Sequence, residues 1–257
     1  MSQIWHIARR EWLEQVRQPV MLGVVTLTFV LISGLCVGAL VLLDVAARDP
    51  ERVTMMASVL GSEPATFAST VSAGVVSIAN WLLLTQFMGI SAVLAGHSLL
   101  HDRQSHTLPF LLLAPVRRVD LLAGKVLGSI APSMAAYLLI SGVAFVAMAM
   151  LPITQPAAAS LPPSPAWCVS FLVGGPLWAL FLGTCCAVIS STARDVRTAQ
   201  QVVWFAVLFA SFGCGYLLSV LLSEGVGVQL AVAAVGAACL GTALAAGSQV
   251  ISRDLGR

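Results

Sequence analysis

Long apolar runs, each closed by a short polar or proline-rich stretch, alternate along the whole chain. A helix needs about 20 mostly apolar residues to cross a bilayer core of about 30 Å. Six runs meet that length: 20–43, 71–96, 125–150, 166–191, 201–222 and 228–250. Asp, Glu, Lys and Arg are confined to their ends, where they avoid the roughly 2.5–3.5 kcal/mol that a central charge costs on the insertion scale. The pattern predicts an all-α, polytopic membrane protein with a single transmembrane domain over 1–257. The tightest boundary is "SEGVGVQ", which leaves the last two spans as one hairpin or as segments that stop short of the far surface.

Ahead of the first run the period changes. Ile4, Trp5, Ala8, Trp12, Leu13 and Val16 recur near helical spacing, while Arg9, Arg10, Glu14 and Arg17 take the other faces. Tryptophans on one side and arginines on another predict an amphipathic helix over 1–19 lying along the membrane surface, with Pro19 turning the chain into the first span. That span, 24 residues long, exceeds the roughly 7–15 apolar residues of a signal peptide and reads as a retained anchor. The connections 44–70 and 151–165 read as spacers. The prolines of "LPITQPAAASLPPSP" exclude a continuous helix there.

Composition excludes an ordinary soluble domain: of 257 residues, 58% are hydrophobic and 9% charged, against about 25% charged in soluble domains. Eleven Lys and Arg residues fall before the first span, between the second and third, between the fourth and fifth, or after the sixth. Only Arg48 and Arg52 fall on the other side. This bias predicts that both termini are cytoplasmic. No basic patch with interleaved aromatics accompanies the net charge of +2, so membrane lipids rather than nucleic acid are the expected neighbours. The six cysteines show no CxxC and read as small hydrophobes. His97 and His101 share a helical face with His106 close behind, but no acidic partner accompanies them as in HExxH. No metal site and no catalytic residue is therefore assigned. The absence of intramembrane carboxylates from the predicted spans disfavours an ion-coupled transporter, and the absence of paired carboxylates or a metal constellation disfavours a membrane-embedded enzyme.

"HTLPFLLLAPVRRVDLLAGK", residues 106–125, breaks the alternation. As a span it would bury Arg117, Arg118 and Asp120 at a cost of about 10 kcal/mol, even with Lys125 snorkelling from its end, and its nine large apolar residues recover only about 4–5 kcal/mol. Pro109 and Pro115 interrupt any continuous helix. The segment is thus a leucine-rich element outside the hydrocarbon, too apolar to be left in water, and something must cover it.

Thr107, Leu108, Leu111, Leu112, Pro115, Gly124 and Lys125 together resemble the cytoplasmic loop of type-2 ATP-binding-cassette (ABC) exporter permeases. Arg10, Glu11, Leu13 and Arg17 are similar to that family's leading interfacial helix. Where the family has an acidic residue and a glycine before the threonine, this chain has Ser105 and His106. The resemblance implies a permease subunit of the bacterial cytoplasmic (inner) membrane whose loop, 97–124, carries a short coupling helix that docks on a separate ATPase subunit. Two ATPases and two permeases, identical or paralogous, are implied, with ATP and Mg held by the ATPase. The docking candidates are His101, Asp102, Arg103 and Thr107 as polar contacts and Leu108, Leu111 and Leu112 as apolar anchors. Arg194, Asp195 and Arg197 are secondary contacts or a solvated turn. The chain's "AGKV" lacks the spacing and hydroxyl of a P-loop, so ATP hydrolysis falls to the partner. Asn80, Thr85, Gln86 and Ser211 are candidates for a translocation path and equally for hydrogen bonds between helices. An apolar interior suits a hydrophobic or amphipathic cargo such as lipid, glycolipid or peptide. The alternative is a nonenzymatic scaffold or assembly subunit that uses ATPase motion without moving cargo.

Overall fold

The structure is a computed structural model that describes residues 2–17, 19–59, 64–104, 117–152, 164–192, 201, 205, 208–217, 221 and 225–254. Among the described residues the regular structure is helical throughout: α1 (Ser2–Val16), α2 (Pro19–Ala47), α3 (Pro50–Val59), α4 (Pro64–Gln104), α5 (Arg118–Ala149), α6 (Pro165–Ser191), α7 (Leu208–Leu217) and α8 (Val226–Asp254). Five stretches are long and apolar enough to cross a membrane: Val25–Ala47, Thr70–Leu99, Arg118–Ala149, Pro165–Ser191 and Val226–Val250. They coincide with five of the six runs expected from hydropathy. The run 201–222 holds the shorter apolar helix α7, and most of its other residues lie outside the described ones.

Helix starts follow local chemistry. α2, α3, α4 and α6 each open on a proline, whose fixed φ suits the first turn and whose missing N–H is not needed there. Asp49 Oδ1 accepts from the Glu51 amide at 3.1 Å, and Ser164 Oγ from the Trp167 amide at 3.3 Å, so each satisfies a first-turn donor. The connection 44–70 contains α3 and the start of α4. α4 has 41 residues and, at 1.5 Å per residue, is about 60 Å long, roughly twice the hydrocarbon core. It is therefore longer than one crossing needs, and it carries His101 and Asp102 near its C-terminal end. α5 begins at Arg118, well before the expected boundary at 125, so the connection between α4 and α5 is shorter than 97–124.

α4 and α6 form the centre, with α5 against both. Ser91 and Ser133 share a hydrogen bond of 2.8 Å between α4 and α5. A Cβ on Gly183 of α6 would stand 3.0 Å from Ile130 Cδ1, 3.2 Å from Ala95 Cβ and 3.4 Å from Val126 Cγ1, so this glycine sets how closely the three helices meet. Further along, Tyr137 lies parallel to Phe87 at 4.2 Å and to Phe171 at 5.8 Å, and Phe171 meets Phe145 edge-on at 4.8 Å. Tyr137 and Phe171 sit in π-helical turns, Tyr137–Ser141 of α5 and Ser170–Gly174 of α6. α7 packs on α4, with Trp81 Nε1 donating to the Phe212 carbonyl at 3.2 Å. α8, which starts after Gly225 in the left-handed region (φ 94°), lies on α6 through Gly236 and Gly247. Its Gly247 faces both Val188 and Leu122, so the ends of α6 and α8 and the start of α5 share one end of the bundle. α2 stands at the edge, with Leu27, Leu31, Leu35 and Leu42 exposed, as suits a helix that faces lipid or another subunit.

Gly183→Val is expected to lower the stability of the folded chain by about 1–3 kcal/mol through overpacking. Thermal unfolding of the purified protein in detergent measures it as a lower midpoint.

Candidate functional site

α1 lies against the first turns of α5 because two glycines, one turn apart, remove the side chains that would hold it off. A Cβ on Gly124 would come within 2.9 Å of Ile7 Cβ, and one on Gly128 within 2.5 Å of the Ala8 carbonyl and 2.6 Å of Glu11 Cβ. Small residues at this spacing let helix backbones approach closely in a membrane. The face of α1 that packs carries Ala8 and Glu11, both buried, and leaves Trp5 and Trp12 exposed.

That approach delivers Glu11 to Lys125. The Lys125 ammonium donates to Glu11 Oε2 at 2.9 Å and to Ser98 Oγ at 3.3 Å, and forms an ion pair with Asp102 Oδ2. Ser98 Oγ in turn donates to Glu11 Oε1. Of the ammonium's three N–H donors, two are hydrogen-bonded to α1 and α4, and the Asp102 carboxylate of α4 stands against its charge. The lysine side chain is 5% exposed, and those of Glu11 and Asp102 are 10% and 12% exposed. Arg10 compensates the surplus negative charge from outside. Its pKa is raised chiefly by its 2.9 Å hydrogen bond to Glu14 and by that carboxylate's charge, with Asp102 and Glu11 adding to the effect against partial desolvation.

Asp102 and Lys125 stand on either side of the connection 105–117. Their ion pair fastens the helix that enters this loop to the helix that leaves it, and Glu11 fastens both to α1. A water-accessible cavity of about 310 Å³ opens beside the tie, lined by Glu11, Ser98, Glu14, Arg17, His97 and His101 among others. The two imidazoles are stacked at 6.5 Å. Among the described residues no group of three or more His, Cys, Asp and Glu is placed to hold a metal ion.

A family model described as ABC-2 family transporter protein matches residues 5–238, which take in α1, the tie, the loop and half of α8. The chain belongs to this ABC-2 family. It is accordingly an integral membrane protein and a transmembrane subunit of an ABC transporter, a permease associated with an ABC ATPase partner. No curated protein matches the chain by sequence.

In this ABC-2 permease the residues expected to dock the ATPase divide in three. His101 is exposed at the end of α4, and Arg103 belongs to the same final turn. Thr107, Leu108, Leu111 and Leu112 lie outside the described residues, as do Arg194, Asp195 and Arg197. Asp102 is turned inward, buried and ion-paired to Lys125. Lys125 itself does not snorkel to the surface, because the two carboxylates and Ser98 satisfy its charge where it is. Of the polar positions expected in a translocation path, Thr85 and Ser211 are brought together. Thr85 Oγ1 donates to the Ser211 carbonyl at 3.3 Å, so this pair joins α4 to α7. Asn80 and Gln86 are buried in α4.

Sequence reasoning missed Ser98, one serine among many in apolar helices, and missed the hydroxyls of Tyr137, Ser141 and Ser170. These three are buried without a hydrogen-bond partner among the described residues, as are both amide atoms of Gln86. Buried polar atoms are seldom left unsatisfied, and π-helical turns concentrate at functional sites. No residue pattern marks a π turn in advance.

Lys125→Met in the permease leaves two carboxylates buried without their cation and is expected to destabilise the fold by about 3–5 kcal/mol. Adding Glu11→Gln and Asp102→Asn to Lys125→Met removes the uncompensated charge and is expected to restore more than half of that loss. Thermal unfolding of the two variants in detergent checks both values.

Proposed function

We propose that the chain is the permease of an ABC exporter, with both termini and the 105–117 loop on the cytoplasmic side and the loop seated on the ATPase. The observation that carries this reading is the Glu11–Lys125–Asp102 tie at the base of the loop. A docking loop on a slack base would absorb the movement of its partner. Here the two helices at its ends are joined to each other and to α1 by buried charges, so a displacement of the loop moves three helices together. Two ATPases and two permeases make the complex, ATP and Mg bind the ATPases, and this chain contributes no catalytic group to hydrolysis.

Within that complex His101, Arg103 and Thr107 are the polar contacts to the ATPase and Leu108, Leu111 and Leu112 its apolar anchors, while Asp102 acts from inside by holding Lys125. Arg194, Asp195 and Arg197 make a secondary contact. The movement reaches the aromatic centre through α4 and α5, which carry Phe87 and Tyr137. The hydroxyls of Tyr137, Ser141 and Ser170, with the Gln86 amide, are the polar groups that meet a passing cargo. A hydrophobic or amphipathic cargo suits them, because its few polar atoms find partners there while its apolar surface meets the rings.

Copurification with the ATPase under mild detergent tests the docking. Replacing Leu111 and Leu112 together by Asp is expected to reduce ATPase retention at least tenfold, the order expected when apolar anchors at an interface are replaced, with the thermal midpoint of the permease alone unchanged. Undiminished retention by that variant contradicts the assignment.

A further inference from the structure

Between α1 and the bundle runs a second groove, separate from the cavity beside the tie. It encloses about 510 Å³ and is lined by Trp5, Ala8 and Trp12 of α1, Ala131 and Met134 of α5, and Leu180 of α6. Gly128 forms part of its floor. The size falls within the roughly 300–1,000 Å³ of small-ligand sites, and the lining is almost wholly apolar. One charged side chain, Arg9, borders it. Arg9 is exposed and has no ion-pair or hydrogen-bond partner among the described residues, whereas its neighbour Arg10 is taken by Glu14. Trp5 and Trp12 are exposed along the same helix.

We propose that this groove holds one acyl chain of an anionic phospholipid of the cytoplasmic leaflet, with its phosphate on Arg9. An interfacial helix places its apolar face at the boundary between headgroups and acyl chains, and tryptophan favours that depth. The groove therefore opens where acyl chains begin, and its unpaired guanidinium stands where phosphates lie. Charge complementarity selects the anionic lipid, since the cytoplasmic leaflet is negatively charged and a guanidinium binds phosphate bidentately. The lipid would wedge α1 against α5 on the side away from the tie and so support the position from which Glu11 reaches Lys125. The inference rests on the membrane orientation proposed above.

Native mass spectrometry of the purified full-length permease, without ATPase, titrated with phosphatidylglycerol or phosphatidylcholine, tests the site independently of ATPase docking. The unmodified protein is expected to retain one phosphatidylglycerol about fivefold more tightly than phosphatidylcholine, the order of one basic side chain at an anionic surface. Arg9→Gln is expected to abolish the preference. Ala131→Phe, which fills the groove, is expected to weaken both lipids, and Met134→Trp serves the same purpose if the phenylalanine variant does not fold. Equal retention of the two lipids by the unmodified protein, or retention unchanged in Arg9→Gln and a folded groove-filling variant, overturns the proposal. So does a lipid-free dimer that the groove-filling variant dissociates, which would assign the groove to a second copy of the chain.

Discussion

A lysine ammonium buried among helices is tolerable only while its charge is paired and hydrogen-bonded, and Lys125 finds its partners on two other elements. Removing either carboxylate takes a partner from the ammonium, and removing the lysine leaves two buried carboxylates without their cation. The demand fixes more than energy. It sets the distance of α1 from α5, the rotation of the last turn of α4 about its axis, and the position of the first turns of α5. Gly124 and Gly128 are the steric counterpart, since with larger residues α1 would stand too far off for Glu11 to reach the ammonium. Burial of charge on one side and removal of side chains on the other define a single geometry at the end of the bundle that carries the loop.

The position of that geometry gives it a mechanical meaning. Asp102 stands in the last turn of the helix that precedes the 105–117 connection and Lys125 two turns into the helix that follows it, so their ion pair ties these two helices together. α4 runs from the clamp into the serine pair with α5 and then to the ring of Phe87 stacked on Tyr137. Force applied to the loop has a continuous path of close contacts into the centre, where hydroxyls on two π-helical turns have no hydrogen-bond partner among the described residues. A π turn closes fewer well-formed hydrogen bonds than the α-helix around it and is a natural place for a helix to change its winding.

Much of this was legible in the sequence, and the rest was not for identifiable reasons. Five spans follow from apolar runs because length and the cost of charge leave no other place for them. α1 follows from the spacing of Trp5, Ala8 and Trp12, and the family from the order of residues around the loop. Lys125 stood out beside Gly124, but it read as the close of the cytoplasmic loop's motif. Its true partners lie on other helices, and Glu11 is 114 positions away, beyond the reach of any local pattern. Asp102 next to exposed His101 read as a surface contact for the same reason. α3 was missed although Asp49 and Pro50 mark a helix start, because ten residues with no apolar period gave nothing to extend it.

In the proposed mechanism the tie carries loop movement into the bundle. Spin labels at Arg117, exposed beside the loop, and at Met55 of α3, on the far side of the membrane in the proposed topology, report it directly in the complex with its ATPase. Trapping the ATP-bound state is expected to change the distance between them in a chain with the tie intact. The same trapping is expected to leave it unchanged when Glu11→Gln, Asp102→Asn and Lys125→Met are combined and ATP still binds. An equal change in both chains contradicts that coupling.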